Sequence, residues 1–282
     1  MRRLLDRLLF ATCGATALLV CALLIGVVFV IAQRGAPAMS WTFLTEQIRQ
    51  VGAQGGIFFN LVGTVILITT ALVVCTPVAI GLALLERVYV RSERWRRSLG
   101  VFLYTLNGLP SIVFGIFGFI VFVKWLGWGK SWLSGGILLG MMILPTVTVA
   151  LIERMKALPS RYVQAAAALG LKQSQIIWSV ILPQTRSGLL TGSLLGMARA
   201  AGETAPIMFT ATIFAGATQP HGVKESPVLS LPYHIFILAQ DSFDPAVGAK
   251  LWGAALVLLA LVLLLSGIAL PGRLKMHEEA NV

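Results

Sequence analysis

Long apolar runs separated by short polar connections dominate this chain. Runs near 8–32, 57–86, 99–123, 134–152, 187–217 and 249–270 each reach the roughly 20 apolar residues needed to cross a hydrocarbon core. They predict six membrane-spanning helices, and those longer than the minimum are expected to tilt or kink. The longest interruption between two runs contains the segment from Arg154 to Arg186.

Composition agrees with that pattern. Hydrophobic residues make up 57% of the chain and charged residues 12%, and the mean hydropathy is +0.86, far too little polar surface for a soluble globule. The fold class is therefore all-α and integral to the membrane. The first run is preceded by basic residues and followed by Ala36-Pro37-Ala38, which resembles a cleavable signal, but it is about twice the 7–15 residues of such a segment and reads as a retained anchor.

Charge sets the expected orientation. Arg2, Arg3 and Arg7 precede the first run; Arg87, Arg91, Arg94, Arg96 and Arg97 fill the second connection. Arg154, Lys156, Arg161, Lys172 and Arg186 fill the fourth, and Arg273 and Lys275 follow the last run. The other side holds only Arg34, Arg49, Lys124, Lys130, Lys224 and Lys250. The positive-inside rule then places both termini and the Arg154–Arg186 connection in the cytoplasm. A net charge of +11 spread as short flanks of spans is no nucleic-acid footprint.

Little in the chain points to catalysis. Cys13, Cys21 and Cys75 fall in predicted spans without metal-ligand spacing and are expected to be small buried fillers. His221, His234 and His277 have no second ligand nearby, and no GxxxxGK[ST] phosphate loop is present. The chain is expected to be a non-catalytic membrane subunit without cofactor or metal; if ATP drives it, a partner hydrolyses the ATP.

Within the polar connection, Pro159 and Ser160 can start a helix, Ser160 capping it, on which Tyr162, Ala165, Ala166 and Leu169 cluster. Gly170 permits the left-handed residue that ends it. A second helix, roughly Lys172 to Ile181, is expected to stop near Pro183. In the fifth run, Gly188, Gly192, Gly196, Ala200 and Thr204 recur every four residues, a ridge of small side chains for close helix packing.

Beside the ridge, Arg199 and Glu203 lie one helical turn apart. Charges at membrane depth cost roughly 2.5–3.5 kcal/mol each on insertion scales, so the pair either fixes packing or serves a translocation path or gate. An Arg held by Glu203 in one state and released in another could attract an anion and let it go. Thr204 adds a hydroxyl at that level, and Pro206 is expected to kink the helix and free a carbonyl. Asn107, Gly108 and Pro110 interrupt the third run and expose backbone that is tolerable only beside protein or a cavity.

The stretch Gln164–Pro183 resembles the EAA loop of ABC-importer permeases through Ala165, Ala166, Gly170, Leu182 and Pro183, with Gln164 and Val180 standing where that loop usually has Glu and Ile. Further motifs narrow the resemblance: GGIFFNLVGTVILITTALVVCTPVAIGLAL (55–84), LNGLPSIVFGIFGF (106–119), MARAAGETAPIMFTA (197–211) and SLPYHIFILAQD (230–241). Together they resemble the PstA-type permease of the phosphate-specific ABC importer over about 55–272.

That resemblance implies the type I ABC importer permease (MetI-like) fold in a multi-pass protein of the bacterial cytoplasmic membrane. It divides the chain into a first span with an external loop (1–54), a permease core (55–272) with a coupling loop (154–186), and a tail (273–282). It implies a PstC-like permease partner, a PstB-like ATPase dimer docked on the 160–183 loop, and an external phosphate-binding protein. Phosphate is then the expected substrate, with phosphonate, sulfate or molybdate as alternatives. An ion-coupled secondary transporter should show inverted repeats and several midplane ionisable groups, and neither is visible. No residue separates transport from a signalling scaffold.

Overall fold

The computed structural model describes the backbone of residues 2–49, 54–214, 216, 219–240 and 245–280, with side chains described for 9–49, 54–214, 216, 219–240 and 247–267. Arg2, Arg3, Arg7, Arg273, Lys275 and His277, and the side chains of the 273–282 tail, lie outside the described side chains.

In chain order the described elements are α1 (Arg2–Gly35), α2 (Trp41–Thr45), a hairpin of β1 (Ile48–Arg49) and β2 (Gln54–Gly55), α3 (Phe58–Leu84), α4 (Glu93–Gly108), α5 (Ser111–Gly118) and α6 (Trp132–Lys156). There follow α7 (Ser160–Ala168), α8 (Gln173–Ile176), α9 (Leu182–Gly202), α10 (Ala205–Thr210), α11 (Leu231–Gln240) and α12 (Pro245–Ala280). Wide π-helical turns extend α3 to Tyr89, α5 to Trp125 and α8 to Ile181. Ile48 pairs with Gly55 and Arg49 with Gln54, antiparallel.

Among the described residues, four segments are long and apolar enough to cross a membrane: Leu9–Ala38, Phe58–Tyr89, Trp132–Lys156 and Val247–Gly267. The third predicted span is a bent pair, Glu93–Gly108 and Ser111–Trp125, meeting at 94°. Leu109 before Pro110 adopts φ −69°, ψ 137°, the extended conformation that proline imposes on its predecessor. The fifth predicted span is not one kinked helix. α9 ends at Gly202 and α10 begins at Ala205, because Pro206 has no N–H for the Gly202 carbonyl and its ring clashes there.

α6 is the centre, with α3 on one side and α9 on the other. Of its most apolar window 67% is buried, against 0% for α1. Leu138, Met142, Ile143 and Val147 of α6 are fully enclosed. Gly136 lies against the Thr70 side chain and Gly140 lies against the Ala71 carbonyl, so α3 approaches α6 at backbone distance. α1 touches the rest chiefly through α12, where Gly35 meets the Trp252 carbonyl and Arg34 lies 5.1 Å over the Trp252 ring. The expectation of three buried cysteines therefore fails for two: Cys13 and Cys21 are exposed on α1, and only Cys75 is buried. A helix packed along one stripe cannot enclose residues on its other faces.

Candidate functional site

Two helix ends meet at the charged pair. Arg199 is in the last turn of α9, where a cation is favoured by the helix dipole and the free carbonyls. Glu203 is the residue after that helix, with φ −81° and ψ 125°, so the pair is not on one continuous helical face as its spacing predicts. They still meet: Arg199 Nε lies 3.8 Å from Glu203 Oε1, with side chains 29% and 19% exposed. Thr204 follows at φ −107°, and its side chain does not cap α10.

Asn107 completes the arrangement from another element. It is the penultimate residue of α4, shown at a helix end because Pro110 stops the helix there. Arg199 Nη1 donates a hydrogen bond to Asn107 Oδ1, and the Thr146 hydroxyl of α6 makes a long contact of 3.5 Å to the same oxygen. One guanidinium is thus held by a neutral carbonyl and a carboxylate. Neither contact is the bidentate fork that Arg makes with a fully engaged anion partner.

Next to this node a cleft of about 330 Å³ is lined by Tyr104, Asn107, Thr146 and Leu195, among others. Leu195 is one turn before Arg199, so the cleft continues from the guanidinium toward the end of the bundle that carries the 154–186 connection. Thr146 was not singled out by sequence reasoning. Its signal is the preceding Pro145 inside α6, a residue that loosens a helix and leaves polar groups to be satisfied nearby.

The small-residue ridge packs as a backbone-to-backbone seam. Gly188 abuts the Arg154 side chain, a Cβ on Gly192 would stand 3.0 Å from Val147 Cα, and one on Gly196 would stand 3.3 Å from Ile143 Cδ1. Gly188, Gly192, Gly196 and Ala200 are all buried. Thr204 leaves the ridge because the helix has already ended.

The 160–183 segment forms the expected pair of short helices with two differences. Pro159 takes the N-cap position and no side chain caps α7, so Ser160 is the first helical residue instead of the cap. Gly170 has φ +80°, with Leu171 N–H donating to Ala166 O at 3.2 Å and Gly170 N–H to Ala167 O at 2.9 Å, the two bonds of a Schellman ending. At its far end the segment does not stop at Pro183. The wide turn Ile177–Ile181 leads directly into α9, with Pro183 in the first turn, where a missing N–H is tolerated. Val180, Leu182 and Pro183 are half-buried there.

The apolar face of α7 is also split. Ala166 is buried against Ile176, Ile177 and Met155, whereas Gln164, Ala165, Tyr162 and Leu169 are exposed, Leu169 by 81%. Trp178 adds another exposed ring, at 73%. Among the described residues no group of three His, Cys, Asp or Glu could hold a metal ion.

Several apolar helices packed around α6 define a multi-pass membrane protein of helical-bundle class. The chain belongs to the family described as binding-protein-dependent transport system inner membrane component, whose model matches residues 76–270. It is 29% identical over 266 residues, 94% of this chain and 86% of the relative, to a protein named phosphate transport system permease protein PstA 2 from Mycobacterium bovis. It is 31% identical over 235 residues, 83% of this chain and 80% of the relative, to one named phosphate transport system permease protein PstA from Xylella fastidiosa. Its fold is similar to a chain of the inward-facing MetNI methionine ABC transporter, with a TM-score of 0.58 at 15% identity, covering 78% of this chain and 94% of that one.

Proposed function

We propose that this ABC importer permease subunit carries inorganic phosphate, and that Arg199, held by Asn107 and Glu203 beside the cleft, is the cation on its path. The observation that carries the reading is the node itself: a guanidinium in the last turn of α9, packed on the central helix α6 and engaged by partners that an anion could displace. The names of the relatives supply the substrate. Phosphate needs a positive group that binds it weakly enough to release it, and one Arg with competing internal partners meets that need. Tight discrimination is left to the external binding protein.

The exposed Tyr162 and Ala165 of α7, with Leu169 just after it, form the knob on which an ATPase dimer docks, with both termini on the same, cytoplasmic, side. A second, PstC-like permease supplies the other half of the path. The division into a first span, a core from 55 to 272 and a tail goes with this reading, since α1 stands apart from the seam.

The test is uptake of radiolabelled phosphate at low external phosphate into cells lacking this chain, with and without it restored. Restoration supports the reading. Unchanged uptake, with the partner subunits present, moves the substrate to another oxyanion.

A further inference from the structure

The start of α11 is docked on α3 by polar groups. Thr64 Oγ1 accepts from Leu231 N–H at 2.8 Å and itself donates to Asn60 O at 2.7 Å. Asn60 Nδ2 donates to Ser230 O at 3.4 Å. Gly63 abuts the Leu229 carbonyl, so the two backbones are in direct contact. One turn into α11, His234 N–H bonds Ser230 O at 3.0 Å and the imidazole stacks on Phe214 at 6.2 Å.

Among the described residues, three polar atoms in this junction have no protein partner: Asn60 Oδ1, Ser230 Oγ and His234 Nδ1. Their residues are 2%, 1% and 2% exposed. Leaving a buried polar atom unmet costs about 1–3 kcal/mol, so three together in one junction call for a shared partner. The chemistry of the three is complementary to a single molecule. The Asn60 amide is oriented by its Nδ2 bond, which leaves Oδ1 as an acceptor; a neutral imidazole protonated on Nε2 leaves Nδ1 as an acceptor; Ser230 can donate.

We propose that Asn60, Ser230 and His234 hold one buried water molecule that ties α11 to α3. The water donates its two hydrogens to Asn60 Oδ1 and His234 Nδ1 and accepts from the Ser230 hydroxyl, within the two to four partners that buried waters have. It fixes the first turn of α11 and thereby the end of the loop before it, where Val228 N–H pairs with Ala211 O at 3.0 Å. Burial pushes the His234 imidazole down to about 4, which keeps it in the neutral form this arrangement needs. The inference is independent of the transported substrate.

A density map of the intact transporter, sharp enough to resolve ordered water, tests it. A peak within about 2.7–3.2 Å of all three atoms is expected; no peak there overturns the proposal, and a peak that disappears when sodium is replaced by choline shows a cation and overturns the water. Melting of the purified complex gives a second test. Asn60→Leu and His234→Phe should each lower Tm by about 2–4 °C, and the double variant by clearly less than the sum, because either one alone already releases the water. Additive losses overturn the shared site, and His234→Gln, which restores an acceptor, should recover part of the loss.

Discussion

Arg199 of α9 donates to the side-chain carbonyl of Asn107 of α4, two residues 92 positions apart in the chain that meet where both helices end. The bond joins the bent third span to the broken fifth one. A charge-assisted hydrogen bond of this kind contributes about 1.5–3 kcal/mol, enough to fix the guanidinium without burying it.

Removing the cation should therefore separate from removing its orientation. Arg199→Gln is expected to abolish phosphate uptake with the protein still in the membrane, and Asn107→Ala to lower it about tenfold, the weight of a single charge-assisted bond. Uptake rates at matched membrane levels check this. Loss of the protein itself in Arg199→Gln would mean that the pair serves packing.

Gly170 has φ +80° and a Cβ there would meet nothing within 4 Å. Substitution is thus a test of backbone strain alone, about 1–2 kcal/mol for an ordinary L-residue. Gly170→Val should weaken co-purification of the ATPase, and Gly170→Asn, which tolerates the left-handed region, should do so less. Equal retention of the ATPase by both, with normal uptake, would sink the coupling role of the loop.

The α6–α9 seam makes a contrasting prediction. A Cβ on Gly192 stands 3.0 Å from Val147 Cα and O, which are backbone-fixed, whereas one on Gly81 of α3 meets nothing within 4 Å. Gly192→Val is expected to destabilise the subunit by about 1–3 kcal/mol through overpacking, and Gly81→Ala to change little. Tm of the purified complex distinguishes them.

The His234 imidazole, pushed down to about 4 by burial and then by the Lys250 charge of α12, makes stability depend on pH. The unfolded chain, with an ordinary His near 6.5, binds more protons between those values than the folded one. The contribution is complete above pH 6.5 and is lost on acidification toward 4, at about 1.4 kcal/mol per pH unit. His234→Gln should flatten the Tm profile across that window, and an unchanged slope would assign it to other groups.

The helix bundle was legible because apolar length alone predicts spans, and the bend at Pro110 because proline dictates the backbone of its neighbour. Gly170 was legible for the same kind of reason, a local conformational demand met by one residue type. The outcome at Pro206 and Pro183 was not, since whether a proline kinks, breaks or merely opens a helix depends on what packs against it. Pro183 is accommodated in the first turn of α9 after the wide turn Ile177–Ile181, and a full break follows at Pro206. Asn107 and Arg199 were each visible as oddities in apolar runs, but their contact is tertiary, and Thr146 became visible only through them. The cysteines of α1 were misplaced because hydropathy reports entry into the membrane and says nothing of which face meets protein.

The uninterrupted course of α9 has a mechanical meaning. Its 21 residues span roughly 30 Å at 1.5 Å per residue, with the 160–183 segment feeding one end through Pro183 and Arg199 standing at the other. A stiff rod converts rotation at its foot into translation at its tip: a tilt of about 10° moves the tip by roughly 5 Å over that length. That exceeds the reach of the Asn107 contact, while α10 beyond the break stays moored by Lys130, whose Nζ donates to Met208 O at 2.8 Å. On the proposed coupling role of the 160–183 segment, leverage at the foot of this rod would be leverage on the guanidinium.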